Sequence, residues 1–166
     1  PIHFLSAKHQ EEKKDHLTTT IQHLVDHKIA TAWHAYWIAQ CYQWYLNLGI
    51  HPKNLRVREH LREELAHYAG ACLDVEYHFP FGWKEICGNA DRKQFDLEQH
   101  SKGSGKEIKV FDEETKTKVT PYVAAEPSFG VERAFLAVLF DAYHEEQKEN
   151  EKKEKEKFVT LKLHRS

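Results

Sequence analysis

Glu126, Ser128 and Arg133 fall in one short run, Glu126-Pro127-Ser128-Phe129-Gly130-Val131-Glu132-Arg133. A carboxylate and a hydroxyl can hold an ammonium group, and a guanidinium can hold a phosphate. Side chains of these types at the two ends of one turn could therefore grip an amine and a phosphate together. Residues 121–125, Pro-Tyr-Val-Ala-Ala, are rich in strand formers. After Gly130, apolar residues recur at helical spacing at Val131, Ala134, Phe135, Ala137, Val138, Phe140 and Ala142. The pattern predicts a strand that delivers Glu126 and Ser128 to its end, a glycine turn, and a helix with Arg133 in its first turn. Phe135, Leu136 and Leu139 are expected to be buried and to fix that helix on a sheet. The same spacing equally allows a plain strand–turn–helix, with Ser128 as a cap and Arg133 in solvent.

The elements that must position this run are legible upstream. Residues 33–48 carry Trp33, Tyr36, Trp37, Trp44 and Leu48 at helical spacing, and Gly49 and Pro52 stop the helix. The aromatic density suggests a helix clamped between layers. Residues 54–60 alternate apolar and charged as a half-exposed strand does. Residues 62–68 are expected to form a short helix. Residues 71–79 alternate again, with Cys72, Asp74, Glu76 and His78 on one face and Leu73, Val75, Tyr77 and Phe79 on the other. Pro80-Phe81-Gly82 turns the chain into a return strand over 83–91, which should place Trp83, Glu85 and Cys87 on one face. A short helix over 92–100, a Gly/Ser loop over 101–105 and a hairpin turned at 112–117 complete the middle of the chain.

The ends are less patterned. Leu17, Ile21, Leu24 and Val25 suggest a short amphipathic helix. Residues 144–157 are almost all Glu and Lys, read as a solvated helical extension or linker, and 158–163 alternate like a strand without a partner. The sum is α+β, with helices between antiparallel strands.

Composition narrows the function. The 166 residues suffice for one domain with a core, and the net charge of −2 announces no global basic field for nucleic acid. Cys41, Cys72 and Cys87 are odd in number and lack CxxC spacing, which favours free thiols in a reducing, cytoplasmic setting. No apolar run is long enough to span a membrane. The chain contains no methionine, so a piece of a longer protein is expected. Neither a GxxxxGK[ST] loop nor a GxSxG elbow is present. His23 and His27 have metal-ligand spacing without a third ligand, and packed or solvated histidines are the simpler reading.

Three motifs stand in order: Arg56-Val57-Arg58-Glu59-His60 through Glu64-Leu65-Ala66-His67-Tyr68; Phe79-Pro80-Phe81-Gly82-Trp83-Lys84-Glu85 with Gly88, Ala90-Asp91-Arg92, Phe95-Asp96-Leu97 and His100-Ser101; and the run Glu126–Arg133. Together they resemble the glycyl-tRNA synthetases of the dimeric class II type, over roughly residues 30–145. The third motif looks like motif 3 of that class. The resemblance implies an antiparallel class II catalytic sheet flanked by helices, seen here as the C-terminal part of the catalytic domain. It divides the chain into a poorly patterned segment 1–32, the catalytic part 33–147, and a charged linker leading toward an anticodon-binding domain over 148–166.

The resemblance also implies an ATP-dependent ligase of protein biosynthesis that activates glycine as glycyl-adenylate and passes it to tRNA(Gly). By carry-over, Glu126 and Ser128 would hold the glycine ammonium, with Arg92 and Gly130 beside them. Glu85, Ile86, Gly130 and Arg133 would border ATP, Glu85 and Arg133 acting in catalysis, and Glu85 is the expected Mg²⁺ ligand. A homodimer is expected of the full-length protein. Three features depart from the family. Asn89 stands where a small or apolar residue is usual, Ala124-Ala125 stand where a bulkier aliphatic is common, and no class II motif 1 or motif 2 is visible. By itself the chain is expected to be inactive. The alternatives are a synthetase-like paralogue that only binds a nucleotide or partner, and a plain α+β domain.

Overall fold

The computed structural model describes residues 1–149 and 155–164. Its centre is a six-stranded sheet of β1 (Ile2–Leu5), β2 (Leu17–Thr19), β3 (Leu55–Glu59), β4 (Ala71–Phe79), β5 (Gly82–Asp91) and β8 (Glu126–Phe129), in the order β2-β1-β3-β4-β5-β8. All neighbours are antiparallel except β1 and β3, which run parallel. The sheet is therefore mixed rather than purely antiparallel, although α+β and a helix-flanked sheet hold as expected.

One face carries the core. The alternation of β4 sends Leu73, Val75, Tyr77 and Phe79 inward, joined by Leu55, Val57, Phe4 and Ile86. Beyond the short α1 (Ala7–Glu11), which buries no residue, helices α2 (Ile21–Asp26), α3 (Ala32–Asn47) and α5 (Val131–Ala142) contribute to the same cluster. α3 starts at its N-cap Thr31, whose hydroxyl accepts from the His34 N–H at 3.2 Å. It buries His34, Ala35, Ile38, Cys41, Tyr42 and Tyr45, but Trp33, Tyr36, Trp37 and Trp44 are exposed. The helix thus lies on the sheet with one face free, and is not clamped between layers.

The opposite face is polar. It presents Arg56, Arg58, Asp74, Glu76, His78, Trp83 and Glu85. Arg56 pairs with Glu76 at 2.6 Å, and its guanidinium lies 4.4 Å from the centre of the Trp83 ring.

Several local expectations are corrected. Residues 62–68 form turns, because the Glu64 carboxylate accepts from Leu61 N–H and Arg58 and closes a single turn. The β-branched Thr18 and Thr19 draw Leu17 into β2 opposite β1, and Thr20 then caps α2, so the helix is only Ile21–Asp26. α4 (Phe95–Ser104) runs through the expected Gly/Ser loop and ends at Gly105, whose φ of +67° only glycine adopts freely. β6 (Val110–Asp112) and β7 (Thr117–Val119) form the expected hairpin, apart from the main sheet.

The described residues of the Glu/Lys tract are strands, not a helix. β9 (Tyr143–Glu149) pairs antiparallel with β10 (Lys155–Leu161), which supplies the partner expected to be missing for residues 158–163. Cross-strand pairing overrides the helix preference of Glu and Lys here. Residues 150–154, the remainder of the predicted extension, lie outside the described residues.

α5 also departs from expectation. Ala134 and Ala137 are its buried contacts with the sheet, whereas Phe135 is 65% exposed and Leu136 38%. The small side chains let the helix lie close to β5 and β4, which turns the large ones outward.

Candidate functional site

The site is built around an irregularity in β5. Its pairing with β4 runs Val75↔Cys87 and then Glu76↔Glu85, so Ile86 is an extra residue, a β-bulge. The bulge resets the faces. Glu85 points to the polar face, while Cys87 moves to the core, where it is fully buried beside Cys41. The expectation that Trp83, Glu85 and Cys87 share a face is therefore corrected at Cys87, since strict alternation cannot foresee an inserted residue.

The bulge carbonyls are held from three directions. The buried Tyr45 hydroxyl donates to the Ile86 carbonyl at 2.8 Å, and the Gly130 N–H donates to the same oxygen at 3.3 Å. The Arg133 guanidinium donates to the Glu85 carbonyl at 2.9 Å. Glu85, Ile86, Gly130 and Arg133, singled out from separate motifs, thus meet at one place.

β8 brings the remaining residues. Glu126 and Ser128 lie within the strand itself, opposite Ala90 and Gly88 of β5, not at the end of a strand over 121–125. That approach is irregular apart from a single bridge between Val123 and Lys93. Pro127 is tolerated because β8 is an edge strand. Gly130, not Ser128, is the N-cap of α5, and no side chain caps the helix start. The free N–H groups of the first turn beside Arg133 suit an anion.

Arg92 follows β5 directly. It grips Asp96 through two nitrogens at 2.5 and 2.6 Å and Glu126 through a third at 2.7 Å, and its guanidinium stacks 3.8 Å from the Tyr68 ring centre. Asp96 is held below the usual carboxylate range by that hydrogen bonding.

The Glu85 carboxyl is pushed up, first by partial desolvation and then by the negative charge of Asp74. Gly88 lies beside it without a side chain; a Cβ there would stand 3.1 Å from Glu85 Oε1 and 3.6 Å from Asp74 Oδ1. A carboxylate raised by partial desolvation and by neighbouring negative charge, beside a glycine whose missing side chain leaves it room, fits a hard divalent cation such as Mg²⁺. Several hollows open to solvent surround these residues. One lined by Ile29, Gly70, Asp91, Lys93 and Tyr122 measures about 440 Å³, and an apolar one between α5 and β10 about 310 Å³. The predicted residues occupy an open face and edge.

Two features escaped the sequence reading. His60, Cys72 and Asp74 converge on the polar face, with His60 Nε2 2.6 Å from Asp74 Oδ2. The hydrogen bond to Asp74 raises the His60 imidazole to about 10. The alternation of residues 54–60 and 71–79 carried that signal, but the register between the strands was needed to see it. The second feature is the buried pair of His34 and Asn89, joined by His34 Nε2 to the Asn89 carbonyl at 2.9 Å. His23 and His27 stack on each other, ring centres 3.8 Å apart, and form no three-ligand group among the described residues.

A mostly antiparallel sheet with helices on one face and an open polar face, joined at a bulge to a strand–glycine–helix, is the arrangement of a class II aminoacyl-tRNA synthetase core. No family model matches the chain. Curated relatives do. The chain is 46% identical over 136 residues to the glycine–tRNA ligase of Corynebacterium efficiens, covering 80% of this chain and 29% of the relative. It is 47% identical over 134 residues to that of Thermobifida fusca, covering 79% and 29%, and 49% identical over 132 residues to that of Alkaliphilus oremlandii, covering 80% and 28%. The chain belongs to the glycine–tRNA ligase family and spans under a third of the length of these relatives. No helix among the described residues is long and apolar enough to cross a membrane.

Proposed function

We propose that this chain supplies the glycine pocket and part of the ATP site of a glycine–tRNA ligase. The observation that carries the reading is the convergence of Glu85, Ile86, Gly130 and Arg133 on one bulge, with Glu126 and Ser128 on the adjoining strand. The Glu126 carboxylate and the Ser128 hydroxyl accept from the glycine ammonium. Arg92 holds Glu126 in place from the other side. Glycine offers no side chain to read, so selectivity comes from gripping its ammonium and leaving no room for a larger substituent.

In the reaction, a glycine carboxylate oxygen attacks the α-phosphorus of ATP. A bond to that phosphorus forms, its bond to the bridging oxygen breaks, and pyrophosphate leaves with the electron pair. A hydroxyl of the terminal ribose of tRNA(Gly) then attacks the glycyl carbonyl carbon and loses its proton, the bond from that carbon to the adenylate oxygen breaks, and AMP leaves. The chain's own part is positioning and charge neutralisation. Arg133 and the uncapped N–H groups of α5 face the phosphates. Glu85 would hold Mg²⁺, which when bound neutralises phosphate charge. The full-length protein would act as a homodimer in the cytoplasm.

The test exchanges this segment for its counterpart in the full-length Thermobifida fusca relative and measures glycine-dependent exchange of pyrophosphate with ATP. Exchange is expected, and Glu126→Ala should lower it at least about a hundredfold. Near-normal exchange in that variant would sink the assignment. A chimera that binds ATP but never exchanges pyrophosphate would favour the nucleotide-binding paralogue.

A further inference from the structure

We propose that His60, Cys72 and Asp74 form a zinc-class metal site with an open fourth position toward Glu85. The three residues come from β4 and the residue that follows β3, two interior neighbours of the sheet. The His60 N–H donates to the Cys72 carbonyl at 3.0 Å, which sets these two residues directly opposite each other. Asp74 lies two residues along from Cys72, on the same face. The imidazole nitrogen, the thiol sulfur and a carboxylate oxygen all lie within 4.8 Å of one another, and Cys72 Sγ is 3.9 Å from Asp74 Oδ1. A tetrahedral ion with bonds of about 2.0–2.3 Å needs its ligand atoms about 3.3–3.8 Å apart, so small side-chain rotations suffice.

The backbone of an interior strand pair cannot spread as a loop can, so the three ligand atoms are held together before any ion arrives. The donor chemistry selects the ion. Nitrogen, sulfur and one oxygen suit Zn²⁺ or Co²⁺, and a thiolate is a poor ligand for Mg²⁺. Charge agrees as well. Binding displaces the proton that His60 shares with Asp74 and the proton of the Cys72 thiol; the resulting thiolate and carboxylate balance a divalent ion, and the nearby Arg58, 3.8 Å from Asp74, is already taken up by Glu64 at 2.6 Å. Opposite Asp74, β5 carries Gly88, which leaves room on the side where Glu85 lies. Three protein ligands and one free position is the pattern of a zinc centre that can accept water or a small donor, not of a closed structural site.

The inference does not rest on the ligase reading, because it is tested by metal binding to the chain alone. Metal-free protein is titrated with Co²⁺ and followed by absorption, then with Zn²⁺ against a chromogenic chelator. One equivalent of Co²⁺ is expected, with tetrahedral visible bands and a near-ultraviolet thiolate-to-metal band. Cys72→Ser should remove the near-ultraviolet band, and His60→Ala should weaken Zn²⁺ binding at least about tenfold. Cys41→Ala, which leaves the proposed site intact, should change neither. Circular dichroism of each variant shows whether it has folded. A folded protein that binds less than stoichiometric Co²⁺, or a thiolate band that survives Cys72→Ser, would overturn the proposal.

Discussion

Arg92 and Glu126 are joined by a 2.7 Å ion pair that ties the residue after β5 to the first residue of β8. Two further nitrogens of Arg92 hold Asp96, so the guanidinium works as a bracket with Glu126 at one end. Glu126 is about half exposed, and a pair of that kind contributes roughly 0.2–1 kcal/mol to stability. Its effect should appear in substrate binding. In the chimera, Arg92→Lys keeps the charge but loses the fork geometry. The KM for glycine is expected to rise about tenfold, with a smaller change in kcat and an unchanged KM for ATP. Equal loss at both substrates would contradict a role confined to Glu126.

The bulge predicts a stability effect. Tyr45 is fully buried and its hydroxyl donates to the Ile86 carbonyl. Tyr45→Phe removes that donor and leaves only the longer bond from Gly130. Urea unfolding should show a loss of about 1–2 kcal/mol. Because the same bulge positions Glu85 and Arg133, exchange activity in the chimera should fall as well.

Asn89 predicts the opposite sign. It is fully buried, both polar atoms of its side chain lack a hydrogen-bond partner among the described residues, and the Cys41 thiol, a weak partner, lies near its amide. The bond to His34 uses the Asn89 backbone and survives substitution. Asn89→Val should therefore raise stability by about 1 kcal/mol and the melting temperature by a few degrees. A lower melting temperature would mean that the amide is satisfied by buried water.

The sequence carried the period of the long elements. Residues 71–79 were legible as a strand because alternation is strict over many residues, and Pro80-Phe81-Gly82 marked the turn into a return strand. What it could not carry was anything decided by contact between distant segments. The bulge at Ile86 inserts one residue and moves Cys87 to the other face. β9 is too charged to read as a strand until it is paired with β10, whose residues 158–161 already alternate. The out-turned Phe135 depends on how close α5 approaches the sheet. The candidate site divides in the same way. Glu126, Ser128 and Arg133 were legible as a motif within one run, whereas the convergence of His60 with Cys72 and Asp74 is a matter of register between two strands.

The His34–Asn89 pair makes the pH dependence of stability predictable. His34 is fully buried, and desolvation holds its pKa below the ordinary 6.5. In the unfolded chain the imidazole takes up a proton as the pH falls below about 6.5, whereas in the folded protein, where it donates to the Asn89 carbonyl, it takes one up only at lower pH. The unfolded state then binds more protons, so stability falls as the pH falls from about 6.5 toward the lower folded value. The slope from this one group cannot exceed about 1.4 kcal/mol per pH unit. Other histidines titrate over the same range, so the informative quantity is a difference. His34→Gln keeps a donor in place but cannot titrate. Between pH 7.5 and 5.5 the native protein should lose more stability than this variant in urea unfolding, by at most about 1.4 kcal/mol. Parallel pH profiles would show that His34 is protonated as readily in the folded protein as in the unfolded chain.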